Sequence, residues 1–207
     1  MSSFFSASNQ REYTVILERA RLVDARVVAL YRYGSRVYGT QRPDSDYDYV
    51  VVYRQPEERR QFSDNRLDLT LLSPVAFESR LQQHEVMLLE CIFLPPEHQL
   101  KEMPAQRLAL DKKLLYERWV EKAEKSLEMA RKKLSQASDH PVGLSSLFHA
   151  FRILRFGRQI AEAGRIVDYC AANDLRTLIG EDVGEEWEYF RQEFDFFKAA
   201  FYRLTHA

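Results

Sequence analysis

Residues Leu30 to Tyr53 read LYRYGSRVYGTQRPDSDYDYVVVY. An apolar run from Val27 to Tyr33 stops at Gly34-Ser35, and a second glycine, Gly39, stands ahead of Thr40. A polar turn from Gln41 to Ser45 follows, and Asp46-Tyr47-Asp48 then opens another apolar run that ends at Tyr53. The pattern predicts a strand, a glycine turn, a short helical turn, a loop and a second strand.

Side chains alternate faces along a strand, so Asp46 and Asp48 are expected on one face with Val50 and Val52 behind them. Tyr47, Tyr49, Val51 and Tyr53 take the other face. Two carboxylates about 7 Å apart along a strand repel unless a positive group lies between them, and a hard cation such as magnesium prefers carboxylate oxygens. Gly34 lets the backbone approach a ligand, Ser35 adds a hydroxyl, and the amides opening the next turn favour an anion. A seat for phosphate is therefore expected beside a seat for metal. The competing reading is a solvated surface hairpin, since Asp-Ser-Asp is also good turn sequence.

The segment GSRVYGTQRPDSDYDYVVV resembles the Gly-Ser … Ser-Asp-x-Asp signature of the polymerase-β-type nucleotidyltransferases. That resemblance implies an N-terminal nucleotidyltransferase-type mixed sheet with flanking helices; with the C-terminal bundle of three or four helices that the later pattern predicts, the expected fold class is α+β. It implies two magnesium ions, with manganese as an alternative, and a nucleoside triphosphate, ATP being the expected one. By position, Gly34 and Ser35 would bind the triphosphate with Arg36 assisting, and Asp46 and Asp48 would bind metal. The family usually adds a third acid from a neighbouring strand.

Working outward, Gln10 to Leu22 has a loose helical stripe with Asn9 as N-cap. The polar segment after Tyr53, RQPEERRQFSDN, reads as a solvated loop. Arg66 to Ser73 alternates as a strand whose only acid is Asp68. Asp68 is the candidate third carboxylate, expected to reach Asp46 and Asp48 by antiparallel pairing; an edge position facing water is the alternative. Ser73 and Pro74 open a helix to Gln83. Glu85 to Leu94 is apolar and fits a helix or a strand, and its lone acid, Glu90, would need a partner or a raised pKa if buried and more often reaches the surface at an element edge.

Three prolines between Pro95 and Pro104 mark the expected domain boundary, giving a catalytic domain over 1–95 and a helical domain over 105–207. Helices are expected over Leu108 to Ala137, Val142 to Ala163 with Gly164 after it, Ala171 to Ile179 ending at Gly180, and Glu185 to Leu204. In LFHAFRILRFGRQIAEAGRI, the residues His149, Arg152, Arg155 and Arg158 recur every three positions and form one stripe. Four such groups repel one another, which a phosphate-rich ligand would relieve. His149, Arg152 and Arg155 are thus candidate nucleotide contacts. Pairing with acids such as Glu185, Glu186 and Glu188 is the alternative. This half resembles the C-terminal part of nucleotidyltransferases found beside bacterial RNA-repair ligases, which implies RNA as acceptor.

A net charge of −1 over 207 residues excludes an overall basic field. Cys91 and Cys170 suit reduced thiols, and with neither a signal peptide nor a membrane span in the pattern, a cytoplasmic location is expected. The expected activity is magnesium-dependent transfer of a nucleoside monophosphate to a hydroxyl, with pyrophosphate release. An antitoxin-like protein acting on or binding a protein partner, and transfer to a small molecule as in aminoglycoside-modifying enzymes, are the alternatives.

Overall fold

The computed structural model describes residues 7–54, 59–103, 108–136, 139–178 and 187–206. The expected ends at Pro104 and Gly180, and the acids Glu185 and Glu186, lie outside them. The described chain forms two compact units, one comprising residues 1–82 and 87–109, the other residues 83–86 and 110–207.

The first unit is a five-stranded mixed sheet in the order β3-β4-β2-β1-β5. Its strands are β1 (Val27–Tyr33), β2 (Tyr47–Tyr53), β3 (Arg59–Asp64), β4 (Leu67–Leu72) and β5 (Gln99–Lys101). On one face, helix α1 (Ala7–Ala20) sets Tyr13 and Ile16 against Val27, Leu30, Tyr49, Val51, Leu67, Leu69, Leu71 and Leu100. Bonds from Arg32 to Glu12 and from the Tyr49 hydroxyl to Glu12 Oε1 tie α1 to the strands. The opposite face carries Tyr31, which stacks on Phe77 of α2 (Pro74–Gln82) with ring centroids 6.2 Å apart. Ser73 Oγ accepts from the Ala76 amide at 3.1 Å and caps α2 as expected.

Several expectations are corrected. Helix α1 begins at Ala7, so Asn9 lies inside it; its side chain accepts from Arg32 and donates to the Glu97 carbonyl instead of capping. Part of the supposed solvated loop is β3, which forms a hairpin with β4. Because β3 takes the edge and β4 returns between β3 and β2, β4 pairs with β2 in parallel, not antiparallel. The run after Glu85 is a helix, α3 (Val86–Ile92), and Glu90 on it is 1% exposed, not at the surface. Burial is supported by the Tyr38 hydroxyl, which donates to Glu90 Oε2 at 2.9 Å. The proline-rich stretch expected as a boundary holds the edge strand β5, whose Leu100 enters the core.

The second unit is built from α4 (Lys112–Leu134), α5 (His140–Ala163), the short α6 (Leu175–Leu178) and α7 (Trp187–Thr205). Asp111 caps α4 by accepting from the amides of Lys113 and Leu114. Trp119, fully buried, donates to the His84 carbonyl at 2.9 Å. A Cβ at Gly157 of α5 would lie 2.7 Å from Phe201 and 3.2 Å from Trp119, so glycine is what lets α5 pack this closely on α7 and α4. Phe151 meets Phe190, Phe194 and Phe197 edge-on, which gives this unit an aromatic core.

Candidate active site

Alternation places Tyr33, Asp48 and Asp68 on one face of the sheet, opposite α1. Tyr33 and Asp68 are the register partners of Asp48 on either side, so the two carboxylates lie across adjacent strands. Neighbouring strands run about 4.8 Å apart. Asp46 is exposed and lies one residue before β2. Ser63 Oγ, across the β3–β4 hairpin, donates to Asp68 Oδ1.

Gly34 ends β1 at φ +75°. A Cβ there would collide with the Asp48 carboxylate, with Asp48 Cγ only 2.9 Å away. Glycine is therefore required both by the left-handed backbone and by the close approach of the acid. The turn that begins here closes on itself: the Gly34 carbonyl accepts from the Val37 and Tyr38 amides, and the Ser35 carbonyl accepts from the Thr40 amide. Ser35 follows Gly34 in this turn.

Electrostatics mark Asp48 as the costly member. Burial, then the neighbouring charges of Asp68 and Asp46, push its carboxyl up to about 6, against a smaller opposing pull from Arg36. The donor set is all carboxylate oxygen, which suits a hard divalent ion. Among the described residues, no three Asp, Glu, His or Cys side chains are already drawn round a common point for a metal.

Arg36 is held by the segment that leads into β2. Its guanidinium stacks over the Tyr47 ring at 3.7 Å and donates to the carbonyls of Ser45 at 3.0 Å and Asp46 at 3.3 Å.

The α5 stripe lies in the helical unit. Arg152 is 6% exposed, and its Nη2 is 2.7 Å from His149 Nδ1. A guanidinium only donates, so Nδ1 accepts and the imidazole is neutral. Burial, then Arg152 and Lys122, hold His149 down to about 3. Arg155 bonds Asp174 at 2.6 Å and the Ala171 carbonyl, and Arg158 bonds Glu162 at 3.3 Å. Arg155 and Arg158 are thus paired with acids within the unit, while Arg152 bonds a neutral imidazole.

A family model described as a nucleotidyltransferase domain matches residues 14–152, well over half of the chain. The chain belongs to the nucleotidyltransferase domain family. This nucleotidyltransferase is accordingly a transferase of nucleotidyl groups, and its family implies a nucleoside triphosphate substrate. It is similar to a solved nucleotidyltransferase-like protein from Exiguobacterium sibiricum 255-15, at 14% identity and a TM-score of 0.31, over 97% of this chain and 75% of that one. No curated protein matches it. No described helix is long and apolar enough to cross a membrane.

Sequence reasoning missed two residues that shape the site. Tyr38 anchors the glycine turn to buried Glu90. Arg66, in the β3–β4 turn, bonds the carbonyls of Pro43 and Ser45 just ahead of Asp46. Its neighbour Asn65, a residue that tolerates left-handed turns, was the available signal for that hairpin.

Proposed function

We propose that this nucleotidyltransferase moves a nucleoside monophosphate from a triphosphate, ATP first among them, to a hydroxyl of RNA. Asp46, Asp48 and Asp68 would hold two magnesium ions, and Gly34 and Ser35 would receive the triphosphate. The observation that carries this reading is the carboxylate of Asp48, seated where only a glycine at position 34 leaves room and facing Asp68 across the parallel pair.

When bound, the ions would supply charge neutralisation and Lewis acidity at the phosphates. The chain's own part is position. Gly34, packed against the Asp48 carboxylate, opens the turn that would receive the triphosphate, which would put triphosphate and acids at one corner of the sheet. Asp68, held by Ser63, would take the proton from the attacking hydroxyl. The new bond runs from that oxygen to the α-phosphorus, the bond from the α-phosphorus to the bridging oxygen breaks, and pyrophosphate leaves. The α5 residues His149, Arg152 and Arg155 stay outside this proposal: Arg155 is paired with Asp174, and buried Arg152 bonds the neutral His149, within the helical unit.

The test is incubation with each labelled triphosphate, magnesium, and separate RNA, protein and metabolite fractions. Label in RNA that disappears with Asp48→Asn supports the whole reading. Label in protein or metabolite overturns the acceptor, and no label with no pyrophosphate released overturns the activity.

A further inference from the structure

We infer that Arg66 is a positioning residue that, with Arg36, clasps the segment before β2 and fixes Asp46 against Asp48 and Asp68, a role that presupposes the carboxylate site proposed above. The three acids are not held alike. Asp48 and Asp68 are set by the strand ladder as register partners. Asp46 precedes the strand, so its place depends on what grips the loop ahead of it.

Two guanidiniums grip that loop from different elements. Arg66 Nη2 donates to the Pro43 carbonyl at 2.7 Å and to the Ser45 carbonyl at 2.6 Å. Arg36, from the glycine turn, donates to the same Ser45 carbonyl at 3.0 Å and to the Asp46 carbonyl at 3.3 Å. A carbonyl oxygen has two lone pairs, and both at Ser45 are engaged by charged donors. The loop is also closed on itself, since the Arg42 amide donates to Ser45 Oγ at 2.7 Å and the Ser45 amide to the Arg42 carbonyl at 3.0 Å. The backbone of Arg66 completes the clasp: its carbonyl accepts from the Tyr47 amide at 2.7 Å, joining the start of β2 to the start of β4.

The backbone at Arg66 supports the same role. Its φ is 68°, in the left-handed region that favours glycine or asparagine. A side chain this long at a strained turn position is accounted for by what its head group holds. Because the turn joins β3 to β4, the clasp couples Asp46 to the strand bearing Asp68.

The probe is Mn2+ alone, titrated into the full chain and followed by the electron paramagnetic resonance signal of the free ion. Arg66→Asn removes the guanidinium and suits the left-handed backbone. Its Mn2+ affinity should fall about tenfold, with the melting temperature close to that of the unsubstituted chain. Arg66→Lys, which keeps one charged donor, should fall between the two. In the transfer assay, the loss in Arg66→Asn should appear in the magnesium concentration needed for half activity, with kcat largely recovered at saturating ion. Unchanged Mn2+ affinity in Arg66→Asn, while Asp48→Asn abolishes binding, overturns the clasp and leaves the acid site standing. Failure of the unsubstituted chain to bind Mn2+ more tightly than Asp48→Asn overturns both. Should Arg66→Asn not fold, the Arg66→Lys affinity decides: a loss supports the clasp, and equality overturns it.

Discussion

At the scale of single residues, the charged form of Asp48 is held at a cost in stability. Its folded carboxyl titrates near 6, above the 3.8 of an unperturbed aspartate, because burial and two neighbouring acids penalise its charge. The native chain therefore holds this proton more tightly than the unfolded chain. The contribution is full below about pH 4 and is lost as pH rises through about 6. Asp48→Asn removes the penalised charge, so without metal it should be more stable than the unsubstituted chain at pH 7.5. The gain should be roughly 1–2 kcal/mol after discounting for solvent screening, and it should close towards pH 4; urea unfolding at both pH values checks it. The same substitution should reduce transfer on the order of a thousandfold or more, since charge stabilisation by bound metal is worth several kcal/mol. Gly34→Ala tests the other side of that contact. Its Cβ meets Asp48 at a positive φ, so it should cost about 1–3 kcal/mol and displace the carboxylate. The check is a urea midpoint together with lost Mn2+ affinity. A destabilised variant with full affinity would mean that the acid does not depend on the glycine.

At the scale of elements, α1 is fastened to the sheet by a partly buried ion pair as well as by apolar area. Burial by itself would raise the Glu12 carboxyl, but hydrogen bonds from Arg32 and Tyr49 and the charge of Arg32 outweigh it and hold it below the usual range. This contribution is present above the unfolded value and is lost only as pH falls through the lowered one. Removing the acid by Glu12→Ala leaves Arg32 of β1, whose side chain is 18% exposed, facing α1 without its carboxylate. The expected cost is roughly 2–3 kcal/mol at pH 7, below the range for fully buried pairs, read as a lower urea midpoint. These elements also explain what the sequence made legible. The strands β1, β2 and β4 carry apolar runs bounded by turn residues, so their places could be read directly, though not the direction of the β2–β4 pair. Strand β3 could not: it lies at the sheet edge, pairs only with β4, and offers one apolar residue, Phe62, among polar ones. Missing it made β2 and β4 look like sequential strands and reversed their expected direction. Arg155 is met by Asp174, which lies on a later segment and is brought to it by the fold, so no short spacing announced that partner; Glu162 stands at i,i+4 to Arg158 and was legible in the sequence.

At the scale of the whole molecule, 30 basic and 31 acidic residues leave a net charge of −1. A chain so balanced gains no long-range steering of a polyanion, and RNA would have to be held by a few local contacts. Each neutralised phosphate steepens the salt dependence of binding by somewhat less than one logarithmic unit, so many contacts and few are distinguishable by titration. Two contacts would weaken binding about tenfold between 50 and 200 mM salt, whereas six or more would weaken it about a thousandfold or beyond. For labelled RNA, KM should therefore rise by no more than about tenfold across that range, with kcat nearly constant. A rise of about a thousandfold would require a concentrated basic surface, which the balanced charge does not predict. A KM for the acceptor with no salt dependence at all would instead point to a small uncharged hydroxyl compound in place of RNA. The salt series thus separates the acceptor classes by a quantity that does not depend on knowing the base sequence at the attacked end.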